Sequence, residues 1–248
     1  MQVTTKCDAY TREALVNAIE EHDIISFDIF DTLVMRKVYI NKDVFRIMAQ
    51  KIDPVWGIDF FAARTQAEFT LSRETYPYIE EIYDDVVRRC PCLKGQEAAL
   101  IADELALERE LIIPRQDVVA VFDLAKQMGK MVNIVSDMYF HEDTIRSILD
   151  NVGITGYEKL LVSSEYSSSK PQQLFDKYLA ELPEGRCLHI GDSWACDILP
   201  AGKLGIDTFR LKMSTEIYEA AENAVPPEDL AERTRVAEYV AKQYNSPF

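Results

Sequence analysis

The hydrophobic pattern of the chain changes character along its length. Residues 24–30 (IISFDIF) form a short apolar run, which predicts a buried β-strand. Residues 41–113 then show helical periodicity throughout; Asn41 is a candidate N-cap for the first helix, and the segment 53–57 (DPVWG) predicts its end. Four helices with no strand between them predict a helical insertion rather than part of an alternating sheet. The predicted helices cover about 41–51, 58–75, 78–89 and 95–113.

From residue 117 onward, helices alternate with short apolar strands. Helices are predicted at 117–128, 142–151, 171–182 and 195–204, and strands at 131–136, 159–163, 187–191 and 206–211. Such alternation predicts a parallel, doubly wound sheet that helices cover on both faces. The residues after 214 predict one or two amphipathic helices. The fold class is therefore α/β, with a Rossmann-like core (1–38 and 117–248) and an inserted α-helical cap domain (39–116).

The composition is that of an ordinary globular protein, and its charge narrows the classes of function. Of the 248 residues, 48% are hydrophobic and 28% are charged, with a net charge of −15. Such an acidic surface repels phosphodiester backbones, so no nucleic acid is expected as a partner. No apolar run approaches the roughly 18 residues of a membrane span, and the first residues lack a signal-peptide core. We therefore expect a cytoplasmic protein with no membrane partner.

The cysteines and histidines do not form a recognisable catalytic or metal-binding pattern. The five cysteines are few and odd in number, which favours reduced thiols. Cys90 and Cys92 lack a second Cys/His cluster, so we interpret them as incidental thiols. His189 lies within a predicted strand and is expected to pack there, whereas His22 and His141 are expected at the surface.

Polar residues follow four of the predicted strands, at the edge of an open parallel sheet where ligands bind. Asp28 ends the first strand, Ser136 ends the second, and Lys170 follows the third and its Ser-rich loop. Asp192 ends the fourth strand, with Asp197 five residues beyond. Each residue alone has an ordinary explanation as a cap, a turn or an exposed side chain. Together, in this order, they predict a functional site.

With these four signals the sequence resembles the haloacid dehalogenase superfamily. Its first motif is a strand that ends in a nucleophilic Asp, followed by Thr-Leu; its second and third are a Ser or Thr after a strand and a lone Lys. The fourth motif is a strand followed by Gly-Asp and a second acid. The helical insertion stands where the family has its C1 cap, and the motifs resemble a bacterial branch associated with polysaccharide and glycosyltransferase genes. The matching residues are Asp28, Thr32, Leu33, Ser136, Lys170, Gly191, Asp192 and Asp197.

The resemblance implies a Mg²⁺-dependent phosphohydrolase. Asp28 would attack phosphorus to form an aspartyl-phosphate, while Ser136, the N–H of Asp137 and Lys170 would hold the phosphoryl group. Because two anions repel each other, the attack needs a cation, and Mg²⁺ accepts a small number of oxygen ligands. The implied substrate is a small phosphorylated metabolite (a sugar phosphate, a nucleotide or an acyl phosphate), and an association with glycan-biosynthesis enzymes is a further expectation. The implied metal ligands are Asp28, Asp192 and the backbone carbonyl of Phe30, with Asp197 in the outer shell or bound through water.

The sequence departs from the family pattern at Phe30. Family phosphatases carry a second Asp there, two residues after the nucleophile, which gives general acid–base help worth about 10²–10⁴ in rate. Three alternatives stay open: a leaving group that departs unprotonated, a proton from Asp31 or a cap residue, or a weakly catalytic phosphotransferase or binding module. A metal-free dehalogenase is a further alternative, although Asp192 and Asp197 would repel Asp28 without a cation.

Two arginines of the helical insertion are candidates for contact with an anionic part of the substrate. Arg64 and Glu68 lie four residues apart and match residues of the branch that the chain resembles, and Arg73 lies further along. The alternative for Arg64 is an i, i+4 ion pair with Glu68 on a solvated helix.

Overall fold

The apolar runs of the sequence form a five-stranded parallel sheet in the computed structural model, which describes residues 11–73 and 76–248. The sheet has the order β5-β4-β1-β6-β7, and its four strand pairings are parallel. The predicted doubly wound α/β core is confirmed. Residues 1–10, which include Cys7, and residues 74–75 of a predicted helix lie outside the described part. The strands are β1 (Ile24–Phe27), β2 (Val34–Arg36), β3 (Ile112–Pro114), β4 (Met131–Ser136), β5 (Lys159–Val162), β6 (Cys187–Gly191) and β7 (Asp207–Arg210).

Helices cover both faces of this sheet because side chains alternate along each strand. On β4, Ile134 belongs to the large core with Phe122, whereas Val135 belongs to a second core with Phe175 on the opposite face. The helices are α1 (Arg12–Glu20), α2 (Asp43–Trp56), α3 (Phe60–Leu71), α4 (Ile79–Arg89), α5 (Glu97–Leu111), α6 (Gln116–Gln127), α7 (Glu142–Asn151), α8 (Ser163–Tyr166), α9 (Phe175–Ala180), α10 (Leu199–Lys203), α11 (Ser214–Glu222) and α12 (Leu230–Gln243), with a short 3₁₀ turn at Pro91–Leu93.

The helical insertion, α2 to α5, is joined to the core through an antiparallel ribbon that the sequence did not predict. Val34 pairs with Pro114 and Arg36 pairs with Ile112, so β2 leads into the insertion and β3 leads out of it. Both strands are three residues long. We call the helices α2 to α5 the cap.

The start and the end of the first cap helix differ from the prediction. Helix α2 continues through Pro54 and ends at Gly57, whose φ of 66° allows the left-handed C-cap. Pro54 thus lies within the last turn of the helix and, contrary to the prediction from the sequence, does not mark its end. Asn41 is not the N-cap; its Nδ2 donates to Oδ2 of Asp31 at 3.1 Å, and Lys42 takes the cap position without a side-chain bond.

The two C-terminal helices fasten the beginning of the cap to the rest of the molecule. Arg233 of α12 donates from Nε and Nη2 to the buried carboxylate of Asp43 at 2.8 and 2.9 Å. The hydroxyl of Tyr39 donates to Oε1 of Glu219 in α11 at 2.7 Å. Within residues 11–73 and 76–248, no helix combines the length and the apolar character that crossing a membrane requires.

Candidate active site

The side chain of Asp28 lies at the carboxyl end of the central strand, against a buried lysine. The backbone N–H of Asp28 donates to the carbonyl of Ile190 at 2.8 Å, which continues the pairing of β1 with β6. Nζ of Lys170 lies 2.7 Å from Oδ1 of Asp28 and also bonds Oδ1 of Asp197. Lys170 and Asp197 both lie in π-helical turns, which are rare and frequently found at functional sites. The structure therefore brings together residues from three predicted strand ends.

Three carboxylates meet at this end of the sheet. Asp28, Asp192 and Asp197 each place one oxygen within 4.8 Å of the oxygens of the other two. Carboxylate oxygens at such distances can hold a cation such as Mg²⁺. Both oxygens of Asp197 are engaged, by Lys170, by Nε2 of His189 at 3.1 Å and by the N–H of Ser193 at 2.9 Å. Asp197 is therefore better suited to positioning its neighbours than to binding a metal directly.

The protonation of these carboxyls reflects their crowding. Burial raises the pKa of Asp28 to about 7, since it outweighs the opposing effect of the Lys170 ammonium. Burial also raises the pKa of Asp192 to about 8, with further increases from the charges of Asp28 and Asp31. Burial acts in the same direction on Asp197, but Lys170 and His189 outweigh it and hold the pKa of that carboxyl below its usual range. A cation beside Asp28 and Asp192 would relieve this repulsion.

Gly191 is needed here for space rather than for backbone freedom. A Cβ at this position would lie 2.4 Å from Cγ of Asp197, closer than van der Waals contact permits. The Gly-Asp pair of the sequence is thus explained by the packing of Asp197 against the end of β6.

Ser136 presents a buried hydroxyl that has no partner. Its Oγ is fully buried and forms no hydrogen bond with any described residue. The neighbouring Asp137 accepts a bond from the N–H of Lys170 on Oδ1 at 2.8 Å. Buried hydroxyls are normally satisfied, but Oδ1 of Asn133 and Oγ1 of Thr208 are also buried without a partner, so contact of Ser136 with a phosphoryl group stays a prediction.

This free hydroxyl leads to a first testable prediction. Ser136→Ala removes no hydrogen bond from the protein alone, so we expect a melting temperature that is unchanged or slightly higher. In the phosphohydrolase reaction that the sequence resemblance implies, phosphate release should nevertheless fall about 10²-fold, as when one donor to a transition-state oxygen is lost. Ser163→Ala is the matched control: Oγ of Ser163 accepts from the N–H of Met138 at 2.8 Å and donates to its carbonyl at 3.2 Å. Its loss should lower stability by about 1–3 kcal/mol. Equal thermal destabilisation of both variants would contradict the ligand role of Ser136.

The structure argues against a substrate contact for Arg64. The guanidinium is fully buried and donates from Nε and Nη2 to Glu104, each at 2.9 Å. Nη1 donates to Glu68 at 2.8 Å, so the anticipated i, i+4 pair exists, although not on a solvated face. Arg73 is exposed beside the ring of Phe69, 5.6 Å from its centroid, and its contact with substrate stays a prediction.

Two histidines have roles that the sequence did not reveal. His189 packs against the ring of Phe175 as expected, but its Nε2 also contacts Asp197 and its Nδ1 lies 2.9 Å from Oγ of Ser26. The surface position predicted for His22 is wrong: the ring is buried, and its Nε2 lies 2.8 Å from Oδ2 of Asp207. His141 is exposed, as predicted.

A cavity of ≈ 190 Å³ lies between the cap and the core. Asp137, next to Ser136, and Tyr139 line it from the core, while Tyr76 and Glu108 line it from the insertion. Arg36, at the end of β2, also lines it. Neither Arg36 nor Tyr76 was a candidate site residue from the sequence, because no local pattern marks their burial beside the strand ends.

Comparisons with known proteins identify the family of the chain and agree with its fold. Residues 22–205 match the sequence profile of the family described as haloacid dehalogenase-like hydrolase. The fold is similar to a haloacid dehalogenase-like family hydrolase from Xanthomonas campestris, with a TM-score of 0.55 and 14% identity over 90% of this chain and 94% of that one. No curated protein matches this sequence.

Two further structures illustrate the range of chemistry found on this fold. L-2-haloacid dehalogenase from Xanthobacter autotrophicus has a TM-score of 0.53 and 15% identity over 90% of this chain and 89% of that one. A HAD phosphatase from Thermococcus onnurineus has a TM-score of 0.53 and 15% identity over 77% of this chain and 86% of that one. Likenesses at these identities concern the fold and do not distinguish the two reactions.

Proposed function

Since this chain belongs to the haloacid dehalogenase-like hydrolases, we propose that it is a Mg²⁺-dependent phosphohydrolase of a small phosphorylated metabolite. The observation that carries the proposal is the cluster of Asp28, Asp192 and Asp197, whose oxygens lie within 4.8 Å of one another beside the unpartnered hydroxyl of Ser136. A cation beside Asp28 and Asp192 would offset their like charges, and Ser136 would donate to a phosphoryl oxygen.

Each residue of the site has a separate role in the proposed reaction. Asp28 attacks phosphorus in line, and the bond between phosphorus and the leaving group breaks. Ser136 and the N–H of Asp137 donate to phosphoryl oxygens, and the Lys170 ammonium, already bonded to Asp28, balances the charge that develops. Water then hydrolyses the aspartyl-phosphate and regenerates the carboxylate. Asp28, Asp192 and the carbonyl of Phe30 would hold Mg²⁺, which supplies the positive charge that lets two anions approach each other.

The acids favour this proposal over carbon–halogen chemistry. Burial raises the pKa of Asp192, and the like charges of Asp28 and Asp31 raise it further, so the ionised cluster is unfavourable without a cation. The primary test incubates the protein with sugar phosphates, nucleotides and acyl phosphates, in Mg²⁺ or in EDTA, and measures released phosphate. Phosphate release only in Mg²⁺ supports the proposal, and EDTA-resistant halide release from haloacids would overturn it. Mg²⁺ binding without any turnover would favour a binding module instead.

Metal affinity gives a second prediction, independent of the substrate. Asp192→Asn should weaken Mg²⁺ binding by about 100-fold or more, because loss of a residue that only supports a metal ligand already lowers metal affinity by about 10–100-fold. Asp207→Asn is the matched control, since Asp207 begins β7 at the opposite end of the sheet and bonds His22. Isothermal titration calorimetry with MgCl₂ measures both. Similar affinities for Asp192→Asn and the parent protein would remove Asp192 from the ligand set.

A further inference from the structure

The position that lacks the family's general acid holds an aromatic ring with a guanidinium above it. Cζ of Arg36 lies 4.1 Å from the centroid of the Phe30 ring. The loop after Asp28 turns tightly, because the N–H of Val34 donates to the carbonyl of Ile29 at 2.9 Å, and this turn carries β2 back past Phe30. The proton donor expected two residues after Asp28 is thus replaced by a hydrocarbon surface that positions a cation.

Arg36 is held on two sides and keeps its two terminal amino groups available. Its Nε donates to Glu108 at 3.0 Å (Oε1) and 2.7 Å (Oε2), and its side chain is 8% exposed. Throughout residues 11–73 and 76–248, no acceptor bonds Nη1 or Nη2 of this side chain. The planar group is therefore fixed by a ring face and a carboxylate before any ligand arrives, so little side-chain entropy is lost on binding.

The cavity that Arg36 lines lies next to the phosphoryl-binding residues. Asp137 borders this cavity and directly follows Ser136, and the same Asp137 holds the N–H of Lys170. A phosphoryl group between Asp28 and Ser136 therefore has this cavity available for its leaving group. At ≈ 190 Å³ the cavity has room for a leaving group of a few heavy atoms, and Arg36 also lines a neighbouring cavity of ≈ 440 Å³.

The acids around the cavity already have partners. Glu108 bonds Arg36, Glu68 bonds Arg64, and Asp137 accepts from the backbone of Lys170. Lys42, at the N-terminus of α2, is exposed at the cavity wall and forms no ion pair within the described ranges. The donors left over for a ligand are thus the two amino groups of Arg36 and the ammonium of Lys42.

We propose, on the basis of the proposed function, that Arg36 binds the leaving group and that this group is a small oxyanion, a carboxylate or a phosphate. Such a group needs no proton to depart, because carboxyl groups have pKa values of about 4 and the second ionisation of phosphate has a pKa of about 6. The planar fork of an arginine matches both anions with two parallel hydrogen bonds. The substrate class is therefore an acyl phosphate or a phosphoanhydride.

The reaction balances without a general acid. An oxygen of Asp28 forms a bond to phosphorus, and the bond from phosphorus to the bridging oxygen breaks. The electron pair of that bond leaves with the carboxylate or phosphate, whose charge the guanidinium of Arg36 stabilises. Water then attacks phosphorus, Asp28 leaves as a carboxylate, and the proton that the water loses is carried away by the released phosphate.

The parent protein provides the first test, and no variant is needed. Phosphate release is measured in Mg²⁺ with acetyl phosphate, with inorganic pyrophosphate, and with glycerol phosphate, an alkyl ester whose leaving group requires a proton. We expect kcat/KM for acetyl phosphate or pyrophosphate to exceed that for glycerol phosphate by at least about 100-fold, the lower part of the range that general acid help contributes. Whichever of the two is faster identifies the anion as a carboxylate or a phosphate.

Variants then test Arg36 itself. Arg36→Gln with Glu108→Gln removes the cation without leaving a buried carboxylate unpaired, which protects the fold. We expect kcat/KM for the preferred substrate to fall about 100-fold, as it does when an oxyanion donor is lost. The leaving group of phenyl phosphate has no second oxygen for Arg36 to bind, so kcat/KM for this substrate should fall about 3-fold or less. Added guanidinium chloride at millimolar concentration should restore part of the lost rate. Arg46→Gln is the control, since Arg46 lies 3.6 Å above the ring of Phe61 in the cap but does not line this cavity.

The outcomes distinguish this inference from the proposed function. Hydrolysis of glycerol phosphate at a rate comparable to acetyl phosphate would overturn the inference and indicate a proton donor such as Asp137, while the phosphohydrolase would stand. An equal loss on every substrate in the double variant, with no rescue by guanidinium, would assign Arg36 a structural role. Absence of phosphate release from every substrate in Mg²⁺ would remove the proposed function and the inference with it.

Discussion

Asp28→Asn is expected to abolish phosphate release, with a loss on the order of 10⁴–10⁶ in kcat, and to leave the folded protein at least as stable as the parent. The loss in rate follows because an amide cannot form the aspartyl-phosphate, and removal of a nucleophile has effects of this size. The fold survives because Lys170 keeps its bond to Asp197.

The stability part of this prediction depends on pH with a definite sign. Burial raises the pKa of Asp28 from 3.8 to about 7, so between these values the unfolded chain ionises while the folded protein keeps the proton. The free energy of unfolding of the parent protein therefore falls as the pH rises through this window. Asparagine does not titrate, so the variant should not show this decrease. In thermal melts in EDTA, the melting temperature of the variant relative to that of the parent protein should be higher at pH 8 than at pH 5. A variant that melts lower at pH 8 would show that ionised Asp28 stabilises the fold.

Asp31→Asn serves as the control for the loss of activity. Asp31 lies three residues beyond Asp28; its carboxylate bonds Asn41 and borders a neighbouring cavity with Met213 and Glu219, which shares Arg36 with the cavity beside Asp137. We expect turnover within a few-fold of the parent. A loss as large as that of Asp28→Asn would instead make Asp31 the source of the proton that Phe30 cannot supply.

The largest effect on stability is expected from Glu104→Gln in the cap. The carboxylate of Glu104 is fully buried and accepts two bonds from Arg64, one from the hydroxyl of Tyr83 at 2.7 Å and one from the hydroxyl of Tyr139 at 2.8 Å. Its neutralisation leaves the buried guanidinium of Arg64 without a full partner, which costs about 3–5 kcal/mol. Urea denaturation should show a midpoint that falls accordingly.

Glu68→Gln is the matched control for this prediction. Glu68 bonds the same guanidinium at 2.8 Å, but its side chain is 27% exposed, so the loss should stay within about 1 kcal/mol. Equal losses in the two variants would show that Arg64 does not depend on the buried partner. Because Tyr139 follows β4 in the core, the same network also joins the cap to the strand that ends in Ser136.

The sequence predicted the sheet and the order of the site residues because both depend on local patterns. The strands β1, β4, β5 and β6 lie in mostly apolar runs, and Asp28, Ser136 and Asp192 stand at or just after the ends of three of them. The close contact of Lys170 with Asp28 then follows from parallel strands that end at one edge. The same local reasoning explains why the helices of the cap were found with only small errors at their ends.

Features that depend on distant partners were missed. Val34–Arg36 and Ile112–Pro114 are too short to produce a periodicity, and each is a strand only because the other lies beside it. The buried ring of His22 contacts the carboxylate of Asp207, and the buried side chain of Arg36 donates to Glu108 and lies over the ring of Phe30. No short window of sequence contains His22 with Asp207 or Arg36 with Glu108, so the burial of these side chains is visible only in three dimensions.

The attachment of the C-terminal helices has a mechanical consequence. A cap joined to its core by two chain crossings can rotate about them as a hinge, but here Arg233 and Glu219 hold the entering segment at Asp43 and Tyr39. Rotation about the ribbon would have to break the buried ion pair between Asp43 and Arg233. Such a rotation would therefore require helix α12, which is distant from Asp28 in sequence, to separate from the first helix of the cap.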